Sequence, residues 1–459
     1  MFKPPAVQVT TCDLSDGSTC FSASKKTTFV PSSFYAEPSL NARLLKRGQL
    51  LPEDLEGKFL PVTCDQNNLS RLTFHLSFEM PRELDHSRLE AAWNSVQRKH
   101  VALRSVYVSD NGIMYQAFLR HTQTVIAIES SQQPVQKWVE NFCERDGSIA
   151  IPDGKPQCQP IRFIDSTNNS VLVVRMNHAQ HDLLSKFIIF NDLTVAYRDP
   201  GALGAQGLGF ARYIEHRLEH DSSADTVEFW KGFLDGSSMT LAPLQNPQLP
   251  QGDFYAHSIA VPSSQPPPGI TLASVFRAAW ALVLSQYVHQ NDVVFGEVTS
   301  GRNLPLEGLK NLVGCMIATS PSRITIPLDG TVFEFLRYAQ EQHFRRKPYE
   351  TLGLEDIIHQ CTSWSTDTQF GTILLFNDPK LAPQLVLEGH LCPHRWFAHG
   401  EQEGVFVDLQ PGMHEWQIAI YGKGDHVPKD DAKMLLDKLA ETLKQLTAMP
   451  EGQLSNVRI

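Results

Sequence analysis

The stretch VLVVRMNHAQHDLLSKFIIFNDLTVAY, residues 171–197, decides the fold of this chain. Its first part, 171–176, holds five apolar residues and one Arg, a pattern typical of a buried strand. A second apolar run starts at Leu183 and predicts a buried helix, so residues 177–182 form the turn between them. Each polar group in this turn must find a hydrogen-bond partner or cost about 1 to 3 kcal/mol. We therefore expect a functional site at this joint.

The polar side chains of the turn include Asn177, His178, His181 and Asp182. Imidazole titrates close to working pH, so His178 can serve as a general base for an amine or hydroxyl nucleophile. Asp182 would then cap the next helix and anchor the turn. The alternative is structural, with a hydrogen-bonded core histidine beside a capping Asp. A zinc site of His178, His181 and Asp182 is disfavoured, since no H-E-x-x-H or paired Cys accompanies it.

Composition narrows the class of protein. The 459 residues allow two or three domains, and 42% hydrophobic with 20% charged residues is typical of a globular protein. A net charge of −10 argues against nucleic-acid binding, which uses basic surfaces. Eight scattered cysteines without a C-x-x-C pair predict reduced thiols and a cytoplasmic location. We expect no membrane contact, since no segment reaches the roughly 18 apolar residues that span a bilayer.

The order of predicted elements indicates two α+β lobes. Residues 1–33 are rich in Ser, Thr, Lys and Pro and predict a linker or tail. The first lobe covers 34–205, and a segment rich in Gly and Pro, 206–268, connects it to the second lobe, 269–459. The order of elements in the second lobe resembles that in the first.

Apolar periodicity predicts the individual elements. Strict alternation over 72–80 predicts a half-buried strand, and helical spacing over 271–287 predicts a helix with a buried stripe. Further strands are predicted near 103–108, 114–119, 124–128, 160–164, 292–298, 372–376, 405–409 and 416–421. Further helices are predicted near 85–100, 135–144, 331–344 and 430–447, with a helical patch at 211–234.

The central stretch resembles a known family, the condensation domains of nonribosomal peptide synthetases. Their H-H-x-x-x-D-G motif falls on residues 177–183. Fungal terminal condensation-like domains carry S-H-x-x-x-D, fourteen residues and then Tyr, and His178, Asp182 and Tyr197 match that spacing. Later and earlier motifs of the family are similar to LPVT at 60–63, RKHVALR at 98–104, FGEVTSGR at 295–302, VGCMIATSPSR at 313–323 and KPYE at 347–350. The resemblance covers nearly the whole chain.

The resemblance implies two chloramphenicol-acetyltransferase-like lobes in a V-shaped pseudo-dimer, with His178 in a central active-site tunnel. Terminal fungal members release the finished peptide, commonly when its own amine attacks the carrier-bound thioester, which is macrocyclisation. The thioester is carried on the phosphopantetheine of an upstream peptidyl carrier protein domain. We therefore expect that carrier and its peptidyl thioester as partners, no cofactor or metal bound by this chain, and a monomer.

The same resemblance implies roles for individual residues. We expect Asn177 or nearby backbone N–H groups to stabilise the oxyanion, and Asp182 to pair with Arg302 across the lobes. An exposed Arg302 is the structural alternative. Tyr197 is a marker of the family whose role the sequence does not give.

Two positions depart from the motif. Asn177 replaces the usual Ser or first His, and Leu183 replaces the usual Gly. Asn177 can still donate a hydrogen bond. If the Gly serves a positive φ, Leu183 costs about 1 to 2 kcal/mol, and if it serves only space, the leucine narrows the tunnel.

Two other functions stay open. A coenzyme A-dependent acyltransferase of the HxxxD superfamily carries a D-F-G-W-G motif, where this chain has FGEVTSGR. A catalytically silent domain that only binds a carrier protein would fit the substitutions Asn177 and Leu183. Loops and elbows typical of other enzymes, such as G-x-S-x-G and the phosphate-binding loop, are absent from the sequence.

Overall fold

A computed structural model describes residues 38–204, 207–241, 254–400, 404–423 and 427–458. The tail predicted at 1–33 lies outside these residues. The chain falls into two compact units, and each is considered by itself. The first extends to Glu219 and includes Pro305–Met316 and Leu381–Glu401, and the second contains the remaining segments. Among the described residues, no helix is both long enough and apolar enough to cross a bilayer.

The elements are numbered in chain order. The strands are β1 (Leu60–Pro61), β2 (Thr73–Met80), β3 (Ser105–Asp110), β4 (Ile113–Phe118), β5 (Ala127–Ser131), β6 (Gln159–Asp165), β7 (Ser170–Asn177), β8 (Phe254–Pro262), β9 (Asp292–Thr299), β10 (Ala318–Thr325), β11 (Ile373–Phe376), β12 (Val386–Leu387), β13 (His390–Leu391), β14 (His394–His399), β15 (Val405–Pro411) and β16 (Glu415–Lys423). The helices are α1 (Pro38–Gly48), α2 (Cys64–Leu69), α3 (His86–Lys99), α4 (Val135–Gly147), α5 (Leu183–Arg198), α6 (Phe210–Asp221), α7 (Ala224–Leu234), α8 (Leu272–Val288), α9 (Val332–Arg346), α10 (Leu354–Cys361) and α11 (Lys429–Ala448).

A five-stranded sheet in the order β14-β2-β7-β6-β5 forms the centre of the first unit. Its pairs are antiparallel except for the parallel pair β5–β6. On one face, Val171 and Val173 of β7 pack in a cluster with α4. On the other face, Phe78 of β2 meets Phe190 of α5 with ring centres 4.4 Å apart. Because both faces are covered, β7 is a nearly unbroken apolar run, as the sequence predicts.

The predicted strand, turn and helix at the centre of the chain are confirmed. β7 ends at Asn177, which pairs with Thr73, and the next backbone N–H, from His178, donates to the Leu72 carbonyl oxygen at 2.9 Å. A single 3₁₀ turn, His178–Gln180, follows, and α5 begins at Leu183.

The second unit contains a six-stranded sheet in the order β10-β9-β11-β15-β16-β8, in which β11 lies parallel to β9 and β15. Helix α8 packs against α9 and α11, and every residue from Ser274 to Ser285 is buried. The helix predicted over 271–287 is therefore confirmed, but its burial is all round rather than a stripe, because it has neighbours on several sides.

The division of the chain differs from the predicted lobes at 34–205 and 269–459 and the connection at 206–268. Two segments of the second half belong to the first unit, Pro305–Met316 and Leu381–Glu401. The second of them carries β14, which pairs with β2 at the edge of the central sheet. Local periodicity predicts a strand but not its partner, so these two returns to the first unit could not be predicted from it.

The helical patch predicted at 211–234 is two helices, α6 and α7. Ser223 is the N-cap of α7, since its Oγ accepts a hydrogen bond from the Thr226 N–H at 3.3 Å. A new N-cap inside an apolar pattern marks a new helix.

A buried ion cluster holds β9 to α8 and α9 in the second unit. Glu297 accepts hydrogen bonds from Arg277 Nε at 2.8 Å and from Arg346 Nη2 at 2.6 Å, and all three side chains are buried. Burial raises the pKa of Glu297, but the charges of Arg277 and Arg346 outweigh that effect and hold the pKa well below its usual range.

We predict that Glu297→Gln lowers the free energy of unfolding by about 3 to 5 kcal/mol at pH 7, because it leaves two buried guanidinium groups without their carboxylate. Urea denaturation measures the change. Glu341→Gln on α9 is the control, since that side chain is 61% exposed and its pair with Arg337 contributes about 0.5 kcal/mol or less.

This contribution has a defined pH dependence. The folded-state pKa of Glu297 lies below the unfolded value of about 4.3, so the difference between wild type and variant is full above that pH. It shrinks as the pH falls toward the folded-state pKa. Equal effects of the Glu297 and Glu341 substitutions would contradict the assignment.

Candidate active site

Asn177 caps the turn between β7 and α5. Its Oδ1 accepts the Ala179 N–H at 2.9 Å, and its Nδ2 donates to the Ser70 carbonyl oxygen at 2.6 Å. An amide nitrogen carries two hydrogens, so one remains beyond the bond to Ser70. The local role of Asn177 is thus to shape the turn, and its part in oxyanion stabilisation stays a prediction.

Two buried glutamines support the turn, and sequence reasoning missed both. Gln180 Nε2 donates to the Ala102 carbonyl oxygen at 3.1 Å, and Gln66 Nε2 donates to the Ala179 carbonyl oxygen at 2.9 Å. Gln66 also forms a capping box with Thr63 at the start of α2. The spacing T-x-x-Q was the available signal for that helix start. Ala102 of the RKHVALR motif therefore bonds to the turn directly, and Thr63 of the LPVT motif positions Gln66, which bonds to the turn.

His178 has one nitrogen fixed and one open. Its Nδ1 lies 3.0 Å from the His181 carbonyl oxygen. A carbonyl oxygen only accepts, so Nδ1 carries the proton and Nε2 carries the lone pair. No hydrogen bond to Nε2 occurs within the described ranges. Phe74 meets the ring edge-on at 4.9 Å, and His181 stacks on it at 5.1 Å.

The electrostatic environment keeps His178 neutral. Burial lowers its pKa to about 4, and the positive charge of Lys186 acts in the same direction. At neutral pH the imidazole is therefore unprotonated at Nε2. A group in this state can accept a proton, as a general base must.

His181 lies next to His178 in the turn. It is fully buried, and neither ring nitrogen has a hydrogen-bond partner. Burial, together with the nearby His178, lowers its pKa well below the usual value. No group of three or more His, Cys, Asp and Glu that could hold a metal occurs in the part of the chain that the structure describes. The zinc alternative has no structural support.

Asp182 is the N-cap of α5, as the sequence predicts. Its Oδ1 accepts from the Ser185 N–H at 2.8 Å and from the Ser185 Oγ at 2.7 Å. Its Oδ2 accepts the Met316 N–H at 3.3 Å, and Ser185 Oγ accepts the Gly314 N–H at 3.1 Å. Asp182 thus anchors both the turn and the returning segment Pro305–Met316.

Arg302 belongs to the second unit, where it follows β9. Its pairing with Asp182 stays a prediction. Leu183 is the first residue of α5, and its φ angle is not positive. Glycine is therefore not needed at this position for backbone reasons, and the possible cost of 1 to 2 kcal/mol does not arise.

Tyr197 links the β12–β13 hairpin to α5. Its hydroxyl donates to Glu388 Oε1 at 2.6 Å, and Arg88 Cζ lies 4.6 Å from the ring centre. Glu388 occupies the turn between β12 and β13 with φ of 47°. Burial and the bond to Glu388 raise the pKa of Tyr197 to about 12, so the hydroxyl keeps its proton. Tyr197, which the sequence identifies only as a marker of the family, therefore positions the hairpin that precedes β14.

We predict that Tyr197→Phe lowers the free energy of unfolding by about 1 kcal/mol, the usual net value of one hydrogen bond. The Glu388 side chain is 37% exposed, so solvent compensates part of the loss. Hydrogen exchange should quicken in the β12–β13 hairpin. Tyr287→Phe, which removes a similar bond to Asp431 in the second unit, is the control and should leave that exchange unchanged. No coupling between Tyr197→Phe and Glu388→Gln in a double-mutant cycle would contradict the contact.

We also predict that the His178 ring titrates near pH 4 in the free protein, because burial and Lys186 disfavour the charged form. Nitrogen NMR of histidine-labelled protein measures the midpoint, and His178→Ala identifies the signal. A midpoint near 6.5, the value of an unperturbed histidine, would show that the site is solvated.

The fold and the site define the class of this protein. Residues 68–388 match the family described as Condensation domain, and the chain belongs to this family, the condensation domains of nonribosomal peptide synthetases. The predicted family and the α+β fold class are confirmed. Condensation domains are enzymes of the acyltransferase type that act on carrier-bound thioesters.

Two fungal relatives illustrate the similarity. The chain is 40% identical over 434 residues to nonribosomal peptide synthetase fmqC of Aspergillus fumigatus. The aligned region covers 93% of this chain and 37% of that protein. It is 28% identical over 422 residues to nonribosomal peptide synthetase fmqA of the same organism, with coverages of 91% and 11%. The chain therefore spans well under half of the length of either relative.

Solved structures show the same fold. "The crystal structure of holo T3CT" matches with a TM-score of 0.80 at 22% identity and covers 93% of this chain and 99% of that one. "The crystal structure of CT" matches with the same score and identity, over 92% and 98%. The first condensation domain of the calcium-dependent antibiotic synthetase matches with a TM-score of 0.65 at 15% identity, over 87% and 98%. At these identities the likeness concerns the fold.

Proposed function

We propose that this chain releases a carrier-bound peptidyl thioester by intramolecular amide formation, which closes the peptide into a ring. The observation that carries the proposal is the fixed tautomer of His178, with Nδ1–H bound to the His181 carbonyl oxygen and Nε2 open. The spacing of His178, Asp182 and Tyr197, typical of the terminal fungal members, supports the cyclising subtype.

The proposed reaction has two stages, addition and collapse. The peptide amine adds to the thioester carbonyl carbon, and His178 Nε2 takes the proton that the amine nitrogen loses. The carbonyl electron pair moves to oxygen, where the second Nδ2 hydrogen of Asn177 or a backbone N–H of the turn stabilises the charge. When the intermediate collapses, the C–S bond breaks and the imidazolium returns its proton to the departing pantetheine sulfur. Amide and free thiol are the products.

The remaining parts of the proposal concern partners and supports. The substrate arrives on the phosphopantetheine of an upstream peptidyl carrier protein domain, and this chain contributes no cofactor of its own. Asp182 and Tyr197 act as positioning residues, one for the turn and one for the β12–β13 hairpin. Five expectations stay predictions: the V-shaped arrangement, the tunnel, the Asp182–Arg302 pair, the monomeric state and the cytoplasmic location.

We predict that His178→Ala slows cyclisation by at least about 100-fold, the lower end of the range for a lost general base. The assay supplies carrier protein loaded with a peptidyl thioester and follows cyclic peptide and linear acid by mass spectrometry. His86→Ala is the control, since His86 lies on α3 in the same unit, outside the turn, and pairs with Glu90 across one helical turn. Undiminished cyclic product from His178→Ala would exclude the mechanism.

The same assay separates the two other functions. A coenzyme A-dependent acyltransferase would use a free coenzyme A thioester as well as the loaded carrier. A silent domain would bind the carrier and form no product, with wild type and His178→Ala alike.

A further inference from the structure

Lys186 is a buried cation that the mechanism above does not use. It lies one helical turn after Asp182 on α5, and it is 7% exposed. Within the described ranges its Nζ has no hydrogen-bond acceptor, and no carboxylate forms a salt bridge with it. A buried ammonium without a partner is costly, and charged groups are kept in such places mainly at functional sites.

Two aromatic rings support this ammonium. Nζ lies 5.0 Å from the ring centre of Phe74 and 4.9 Å from that of Trp396. The two rings are stacked, with centres 5.8 Å apart and an angle of 14°. Ring faces attract a cation but do not replace the acceptors that three N–H groups seek. The aromatic pair therefore holds Lys186 in place and leaves its donors available.

The Lys186 ammonium lies close to the proposed general base. Phe74 is the shared neighbour, since its ring centre is 4.9 Å from the His178 ring and 5.0 Å from Lys186 Nζ. Both side chains therefore contact the same aromatic ring.

The titratable groups around Lys186 are Asp182 on its own helix, His178 and His181 in the turn, and His394 on β14. Burial lowers the pKa of Lys186 to about 8, and Asp182 partly offsets this effect. Burial also lowers the pKa of His394, and Lys186 adds to it. Near pH 7 the Lys186 ammonium therefore lies among neutral imidazoles. The nearby Asp182 carboxylate accepts the hydrogen bond that caps α5.

We propose that Lys186, held on the Phe74–Trp396 pair, is a further anion-binding group of this active site and receives an anionic oxygen of the substrate. The inference rests on the proposed function of His178. One source of the oxygen is the oxyanion that forms when the amine adds to the thioester carbonyl. The other is a carboxylate that the peptide already carries.

An anion at Lys186 also changes the base. The lysine charge disfavours protonation of His178, and a bound anionic oxygen compensates that charge. Nε2 therefore becomes a stronger base when the substrate charge is in place. Proton transfer and charge stabilisation then support each other in the same step.

The test compares Lys186→Met, which keeps length without charge, with Lys186→Arg, which keeps the charge. Lys99→Met is the matched control, because Lys99 is 25% exposed and already paired with Asp192 at 2.7 Å. Urea denaturation first establishes folding, and Lys186→Met should unfold at the same or higher urea concentration, since it removes an unpaired buried charge. The measurements are single-turnover cyclisation of the loaded carrier and the affinity for a non-cleavable thioether analogue of the peptidyl carrier.

We expect Lys186→Met to change one of the two quantities. An oxyanion source predicts a rate at least tenfold lower with unchanged affinity for the analogue. A carboxylate source predicts at least tenfold weaker binding of an acidic analogue and no change for its amide. In both cases Lys186→Arg recovers part of the loss, Lys99→Met behaves as wild type, and the His178 titration midpoint rises in Lys186→Met.

The inference is overturned if folded Lys186→Met matches wild type in rate and in affinity for both analogues. If His178→Ala still loses activity, that result leaves the proposed function intact. If instead His178→Ala cyclises normally, the proposed function and the oxyanion source both fail, while the two analogues still test the carboxylate source at Lys186 independently of turnover.

Discussion

The hydrogen bond between His178 Nδ1 and the His181 carbonyl oxygen is the contact on which the proposed chemistry of this chain depends. It fixes the tautomer, and the tautomer places the lone pair on Nε2. The bond closes within three residues, so its geometry is set by the turn itself. Everything that shapes the turn, from Asn177 at its start to Asp182 at its end, therefore acts on the base.

The turn is held from several directions at once. Gln66 and Gln180 bind its backbone or its surroundings, and Asp182 joins α5 to the Met316 N–H. Each of these polar groups is buried, and each satisfies a partner that would otherwise be left without one. A satisfied network of this kind permits polar residues between two buried elements, and it fixes the imidazole more firmly than packing alone.

The sequence predicted the strand, the turn and the α5 cap because these depend on local pattern: apolar runs around 177–182 and an Asp before a helix. It did not predict that β14 would pair with β2, because partner choice depends on contacts more than 300 residues apart along the chain. The roles of Gln66 and Tyr197 were missed for the same reason. Each is a polar side chain whose partner, Ala179 or Glu388, lies far away in the sequence.

Lys186 shows why such positions escape a pattern-based interpretation. In the sequence it is one polar residue in an apolar helix, where a solvent-facing lysine is the ordinary expectation. Strand β14 returns to the first unit and places Trp396 beside Phe74, and Trp396 thereby covers the Lys186 ammonium. Burial of that ammonium opposes folding, and it also opposes protonation of His178, which would hinder the base if no negative charge entered. Both costs fall when an anionic oxygen binds, because its negative charge compensates that of the ammonium.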